Sequence, residues 1–168
     1  MPAFMYDLSV PVMKRSLENL VLILEKANSY SETLKLGETV LPQSRLYPDM
    51  LPFARQVQLA CDFAKNGTAR LTATQPPKFD DVETTIPQLI TRVKNVLEIL
   101  SSLKPEAFAG VENNEITFPV GPKTLQLKGL NYLQHMVLPN FFFHYTTAYA
   151  ILRHNGLVVG KGDYIGAV

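Results

Sequence analysis

The residues best suited to chemistry lie in one apolar segment near the end of the chain, residues 138–156. Its histidine, His144, titrates nearest to neutral pH, which suits proton transfer or metal ligation. On a helix, Asn140 lies one turn before His144 on the same face and could accept the N–H of a buried neutral imidazole. A satisfied, hydrogen-bonded core histidine is equally consistent with this pattern. The sequence alone leaves both interpretations of His144 open.

Most of the familiar catalytic motifs are absent from the chain. There is no paired-cysteine zinc spacing, no phosphate-binding glycine loop and no Gly-x-Ser-x-Gly nucleophile turn. The single cysteine, Cys61, falls on the apolar stripe of a predicted helix together with Ala60 and Ala64. We therefore expect a packed and inert thiol at this position.

Other titratable residues carry weaker signals. His135 precedes a proline and His154 lies near a predicted helix end, so surface or capping roles are expected for both. Arg92 is assigned to the outer, solvated face of its helix. Any ion pairs that it forms with Asp62 or Glu83 are therefore expected to be exposed and to contribute little.

Composition limits the function further. The 168 residues are 46% apolar and 18% charged with a net charge of +1, which predicts one globular domain over residues 1–168. Scattered Lys and Arg without a basic excess argue against a nucleic-acid partner. The N-terminus lacks a secretory signal and the apolar stretches fall short of the ~20 residues that a membrane span needs. We expect a cytoplasmic protein that has no membrane partner.

Apolar residues that recur every three or four positions predict a mainly α fold, an antiparallel four-helix bundle with an inserted β-hairpin. Asp49 is the predicted N-cap of the second helix and Asn66-Gly67 its stop. Pro139 is expected to kink the last helix or to begin its main segment. The predicted elements are helices over about 6–27, 49–66, 84–102 and 130–155, a loop over 28–47, a hairpin over about 115–128 and an extended strap over 157–168.

Six stretches of the sequence together resemble a known family. The stretches span nearly the whole chain and are Met50–Gln58, Cys61–Ala64, Phe79–Glu83, Pro139–His144, Ala148–Gly156 and Gly160–Gly166. They resemble a domain family of bacteria and fungi that is related to the DinB/YfiT-like superfamily of four-helix metalloproteins. The resemblance implies the bundle fold. It specifies no reaction, and only analogy with superfamily members suggests a small-molecule transferase or isomerase.

The resemblance also implies where a metal would bind. Superfamily members often use three histidines, two of them in a His-x-x-x-His-Arg-Gly-Gln motif. His144 occupies the second histidine position here, but Asn140 occupies the first, and the second helix offers only Gln56 or Gln58 where another histidine is expected. Amides are poor ligands for zinc or nickel. We therefore expect no cofactor and a degenerate metal site whose polar residues, Gln56, Asn140 and His144, form a hydrogen-bonded network beside a pocket.

Two functions of different classes fit these observations. In the first, a small molecule binds between the helices, with His144 as acid/base or polar anchor and with Phe141, Tyr145 and Tyr149 as walls. In the second, the protein is a non-catalytic homodimer in which surplus apolar surface on the first and last helices forms the interface and His144 is a packed core residue.

Overall fold

The computed structural model describes residues 4–167, which are mainly helical with one two-stranded antiparallel sheet, as predicted. Val168, the last residue of the predicted strap, and the first three residues of the predicted domain lie outside the described residues. The α-helices are α1 Phe4–Asp7, α2 Val10–Thr33, α3 Val40–Gln43, α4 Phe53–Leu71, α5 Ile86–Ser102, α6 Gly129–Tyr132, α7 Leu138–His154 and α8 Lys161–Ile165, and two short 3-10 helices span Pro105–Phe108 and Val111–Asn113. The strands are β1 Glu115–Val120 and β2 Lys123–Lys128, and a π-helical segment, Leu133–Val137, joins α6 to α7.

The four long helices, α2, α4, α5 and α7, enclose the hydrophobic core. The helix α2 packs on α5, α5 on α4, α4 on α7, and α7 on α2. Each helix buries one apolar stripe, with residues such as Leu24, Val57, Val96 and Ile151 fully inaccessible to solvent. Within the described part of the chain, none of the helices is both long enough and apolar enough to cross a membrane.

The first long helix extends further than predicted. Ser and Thr residues in the predicted loop 28–47 favour irregular structure locally, yet α2 continues to Thr33. The hydroxyl of Tyr30 donates to the carbonyl oxygen of Asn155 at 2.9 Å, which ties this last part of α2 to the end of α7. A tertiary contact thus overrides the local preference. Toward the N-terminus, residues 8–9 separate α1 from α2, so the predicted continuous helix over 6–27 is interrupted.

The prediction that Asn66-Gly67 ends the second helix is wrong. Gly67 lies inside α4, where a Cβ atom would come within 2.6 Å of Cγ1 of Val137. Glycine is therefore required for the close approach of α4 to the π-helical segment rather than for termination. The left-handed residue beyond the helix is Ala73, with φ of 54°. At the other end of α4, Pro52 and not Asp49 is the N-cap residue.

The hairpin and the C-terminal segment close the structure at two places. In the hairpin, Val120 pairs with Lys123 and Gly121 adopts φ of 56°, a conformation that two-residue turns require. Alternating Ile116 and Phe118 are buried, so β1 faces the core. The predicted extended strap is not extended throughout, because residues 161–165 form the short helix α8, which packs on α2.

Candidate functional site

The imidazole of His144 is held by a glutamine on the neighbouring helix. His144 lies on α7 and Gln56 on the first turns of α4, and the Nδ1–H of His144 donates to Oε1 of Gln56 at 2.7 Å. The amide Nε2 of Gln56 in turn donates to the carbonyl oxygen of Leu51 at 3.2 Å. Because the amide nitrogen is used in this way, its oxygen is free to accept. This chain of two hydrogen bonds selects the neutral tautomer of His144 that carries its proton on Nδ1.

The surroundings of His144 keep the ring neutral. Its exposed fraction is 8%, and the ring of Phe63 stacks on it at 5.7 Å between centroids. Burial, together with the smaller effect of the positive charge of Arg55, lowers the pKa of His144 from 6.5 to about 4. At neutral pH the second nitrogen, Nε2, therefore presents a lone pair. Among residues 4–167, no side chain or backbone group donates a hydrogen bond to it.

Asn140, the partner that the sequence suggested for His144, bonds elsewhere. Its Nδ2 donates to the carbonyl oxygen of Met136 at 2.7 Å, one turn earlier. Pro139 lies in the first turn of α7, directly after the π-helical segment, where its missing N–H leaves the regular ladder incomplete. The side chain of Asn140 is thereby drawn toward the irregular turn, and Gln56 takes its place beside the histidine.

The aromatic residues expected to form the pocket walls lie on other faces of α7. Phe141 and Tyr145 are fully buried in the core. The hydroxyl of Tyr145 donates to the carbonyl oxygen of Tyr164 at 2.8 Å, and the two rings stack at 4.3 Å. Tyr149 packs edge-on against the same Tyr164. Tyr145 and Tyr149 therefore fasten the C-terminal segment to α7, whereas Phe141 packs against Phe142 and Tyr145. None of the three lines the cavity that is described below.

The remaining predicted site residue, Gln58, and the two other histidines are also separate from His144. Gln58 is buried, and its Nε2 donates to Oε2 of Glu83 at 2.9 Å, which places it in a charged cluster on the other side of α4. His135 is exposed in the π-helical segment, and His154 is the exposed last residue of α7. The structure thus brings together Gln56 and His144, with Asn140 one turn away.

A cavity of about 360 Å³ lies next to this pair, between α4 and the hairpin, and we call it the α4–hairpin cavity. One side is formed by a continuous stripe on α4, whose members recur three or four residues apart. They are Leu59, Asp62, Phe63, Asn66 and Arg70. The opposite side is formed by Phe118 and the residues after it in the hairpin, and by Tyr132, Met136 and Asn140.

His144 borders the α4–hairpin cavity only indirectly. Phe63 lines the cavity and stacks on the imidazole, and Asn140 lines it one helical turn before His144. One turn of helix corresponds to a rise of about 6 Å for four residues. His144 is not itself among the lining residues, and its links to the cavity are its stacking contact with Phe63 and its position one turn after Asn140.

A buried charged cluster beside the cavity was missed by the sequence analysis. Arg92 was assigned to a solvated face, but its side chain is 1% exposed and its Nη2 lies 2.9 Å from Oδ1 of Asp62 and 3.0 Å from Oδ1 of Asp81. Its Nη1 lies 3.1 Å from Oε1 of Glu83. The sequence did contain an indication of this burial, because Arg92 falls three residues after Leu89 and so lies on the apolar stripe of α5.

This Arg92 cluster fastens the irregular segment 72–85 across α4 and α5. Nη1 of Arg92 also donates to the carbonyl oxygen of Asp80 at 3.0 Å, and Nζ of Lys65 donates to that of Pro77 at 2.8 Å. The ring of Phe79 lies over both cations, with its centroid 5.2 Å from Lys65 Nζ and 5.4 Å from Arg92 Cζ. Two buried cations on different helices thus bind one segment.

The donor atoms near His144 do not form a recognisable metal centre. Across the described residues, no three or more His, Cys, Asp or Glu side chains lie close enough to hold a metal ion. Cys61 adds no donor, because it is fully buried and this burial raises the pKa of its thiol to about 12. At the positions where the resemblance implies further metal ligands, the chain has the amide side chains of Gln56 and Asn140.

The fold is mainly helical with one two-stranded antiparallel sheet, and α4 and α7 bring a glutamine and a histidine into contact. Over residues 5–165 the sequence matches the model of a domain of unknown function (DUF1993), and the chain belongs to this family. It is also similar to a crystal structure of a DinB family member protein from Shewanella denitrificans, with 42% sequence identity and a TM-score of 0.91. That match covers 98% of this chain and 93% of the other.

These findings confirm the relation to DinB proteins that the sequence stretches predicted. No protein with a curated function matches the chain. Assignment of an activity therefore depends on the chemistry of the site itself.

Proposed function

We propose that this protein binds a small molecule in the α4–hairpin cavity, on a DinB/YfiT-like antiparallel four-helix bundle whose metal site is degenerate. The observation that carries the proposal is the cavity itself, with a volume of about 360 Å³ and a lining of aromatic rings and amides. Small-molecule sites typically have volumes of about 300–1,000 Å³ and apolar walls with a few convergent polar groups.

His144 is the polar anchor at the end of this site. The Gln56 amide holds its Nδ1–H, so the neutral ring directs a lone pair on Nε2 away from that hydrogen bond. A lone pair of this kind accepts a proton or a hydrogen bond from a bound molecule that reaches past Phe63. His144 is the residue that would serve as acid/base if a reaction takes place here.

The donor set supports a degenerate metal site. Zinc and nickel favour imidazole, thiolate and carboxylate ligands, whereas His144 has only the amides of Gln56 and Asn140 nearby. The oxygen of Gln56 already accepts the imidazole proton, and the amide nitrogen of Asn140 is bonded to the Met136 carbonyl. In this chain the amide of Gln56 orients a neutral histidine in the place where the resemblance to DinB-like proteins implies a metal ligand.

Filling the cavity tests the binding function. Leu59 is half-buried at the cavity wall, so Leu59→Trp should place an indole ring in the space a ligand needs. Phenol, benzamide and benzoate are suitable probes, followed by the shifts of the Asn66 and Asn140 side-chain amide signals in two-dimensional NMR spectra. At least one probe should shift these signals saturably, and Leu59→Trp should weaken its binding by about ten-fold or more.

The matched control for this experiment is Leu22→Trp, which places the same ring on the exposed face of α2 and should leave binding unchanged. If none of the three probes shifts the amide signals, or if Leu59→Trp binds them as well as the unsubstituted protein, the cavity is not a ligand site.

A second candidate function is a homodimeric interaction module in which His144 is a packed core residue. The observation in its favour is a groove of about 740 Å³ between α2 and the C-terminal segment, which Leu22 and Val158 line with exposed fractions of 59% and 85%. Its rim carries both signs of charge, on Glu25 and Lys26. In a two-fold dimer, a patch of this kind is complementary to its own copy.

Sedimentation equilibrium tests the dimer. We expect a dimer at about 100 µM and a monomer for Val158→Glu, because an unpaired carboxylate in an apolar interface is costly. Leu125→Glu, an exposed position on β2, is the control and should remain dimeric. A monomer for the unsubstituted chain at this concentration would eliminate the second candidate.

A further inference from the structure

We infer that the ligand of the α4–hairpin cavity is an aromatic carboxylate whose carboxylate group binds Arg70. This inference rests on the function proposed above and adds the chemical class of the ligand. It follows from the distribution of charge, hydrogen-bond donors and aromatic rings along the cavity.

The two charged residues in the cavity wall differ in their partners. Oδ1 of Asp62 lies 2.9 Å from Arg92 and 3.2 Å from Lys65, so its negative charge is neutralised within the Arg92 cluster. In the part of the chain that the structure describes, no carboxylate lies within 4.0 Å of the Arg70 guanidinium. The cavity wall therefore carries one uncompensated positive charge, which attracts an anionic group.

The donors around Arg70 are suited to a carboxylate. Nη1 of Arg70 donates to the hydroxyl oxygen of Tyr132 at 3.2 Å, and Tyr132 is 2% exposed, so this contact fixes one side of the guanidinium fork. The Tyr132 O–H remains able to donate. One turn earlier on α4, Oδ1 of Asn66 accepts a hydrogen bond from Lys65 at 2.8 Å, which leaves its Nδ2 protons available. Three side chains that can donate hydrogen bonds, Arg70, Tyr132 and Asn66, thus line the cavity close together in the fold.

The middle of the cavity is apolar and flat-sided. Phe63 on α4 faces Phe118 on β1, and the ring of Phe118 packs on that of Tyr132 at 4.7 Å between centroids. Met136 completes this section. Aromatic walls favour a ring, which stacks against them and buries apolar surface. An aliphatic carboxylate of the same length would pair with the charge of Arg70 but would not stack against these aromatic side chains.

The end of the cavity opposite Arg70 accepts hydrogen bonds. Nδ2 of Asn140 is engaged with the carbonyl of Met136, so its Oδ1 is the free atom. Asp62 also lines the cavity. A ligand whose ring carries a hydroxyl or amino group opposite the carboxylate would therefore donate at this end while the carboxylate binds Arg70.

Titrations with benzoate, benzamide and acetate separate the contribution of the carboxylate charge to binding from that of the aromatic ring. Benzamide is the neutral analogue of benzoate, and acetate retains the charge without the ring. Titrations followed by the Asn66 and Asn140 amide signals should show that benzoate binds about ten-fold or more tightly than either, because a charge-assisted hydrogen bond is stronger than a neutral one. Arg70→Gln should remove the preference for benzoate over benzamide, and Arg70→Lys should retain part of it.

The control is Arg153→Gln, since Arg153 is an exposed cation near the end of α7, 13 residues beyond Asn140 and about 20 Å along the helix. It should bind benzoate as the unsubstituted protein does. Equal affinity for benzoate and benzamide, or an undiminished preference in a folded Arg70→Gln variant, would overturn the inference.

The outcomes also distinguish this inference from the proposed function. If benzamide or phenol binds in a Leu59-dependent manner and benzoate does not, the cavity is a ligand site but its ligand is not a carboxylate. If none of the probes binds, the binding function fails together with the inference.

Discussion

Replacing Arg92 by methionine should lower the free energy of unfolding by about 3 kcal/mol or more, the largest effect that we expect from a single substitution. Methionine retains much of the side-chain volume but removes the guanidinium. The carboxylates of Asp62, Asp81 and Glu83, which converge on it at 2.9–3.1 Å, would then repel one another next to the core. The segment 72–85 would lose its main attachment to α5.

Urea unfolding followed by circular dichroism measures this loss. The variant should be compared with the unsubstituted protein under the same conditions. Arg92→Lys should lie between the two proteins, since one ammonium group cannot reach Asp62 and Glu83 with the fork geometry that Arg92 uses.

The matched control for Arg92 is Lys94→Met, two residues further along α5. Lys94 lies 3.6 Å from Glu25, and both side chains are about half exposed. Exposed pairs of this kind contribute less than about 1 kcal/mol. A loss for Arg92→Met no larger than that for Lys94→Met would show that the Arg92 cluster is not a stabilising feature of the fold.

The second large effect is a loss of folding stability at acidic pH. Between pH 6.5 and 4 the protein should lose up to about 3 kcal/mol of stability through His144 alone. The folded-state pKa of His144 is lowered to about 4 from 6.5, so the unfolded chain binds a proton before the folded chain does as the pH falls. Stability is therefore full above pH 6.5, decreases through this interval, and shows no further change from His144 below about pH 4.

A His144→Gln variant identifies the contribution of this residue. Unfolding free energies at about pH 7, 5.5 and 4 should fall less steeply for the variant than for the unsubstituted protein, because glutamine does not titrate. His154→Gln replaces an exposed histidine on the same helix and is the matched control. A variant that keeps the full acid dependence would contradict the burial of a neutral imidazole at position 144.

The histidine at the centre of the site could be predicted, but its hydrogen-bond partner could not. His144 stands out because it is a titratable residue in an apolar helix, a property of the local sequence. Gln56 is 88 positions away, and the sequence analysis placed it near His144 only through the resemblance to DinB-like proteins. The choice between Gln56 and Asn140 depends on Pro139 and the π-helical turn, whose geometry redirects Asn140 toward Met136.

Arg92 shows the opposite case, in which a local rule is misleading. Charged residues are usually exposed, so the expectation of a solvated face followed the common pattern. The irregular segment 72–85 brings Asp81 and Glu83 over α5, and these acids make burial of the guanidinium favourable. That segment has no periodic pattern of apolar residues to indicate where it crosses α5. The positions of its carboxylates therefore could not be predicted from the sequence.

Hydrophobic spacing was sufficient to predict a mainly helical chain with a hairpin, because the periods of three to four and of two residues are local properties. The resemblance stretches were sufficient to predict the DinB relation. Packing between distant segments was needed for the remainder: the extension of α2 to meet Asn155, the close approach at Gly67, and the cavity between α4 and the hairpin. Each of these features brings together residues that are far apart in the chain. The free energy gained from such contacts outweighs the local conformational preferences on which predictions from a sequence pattern depend.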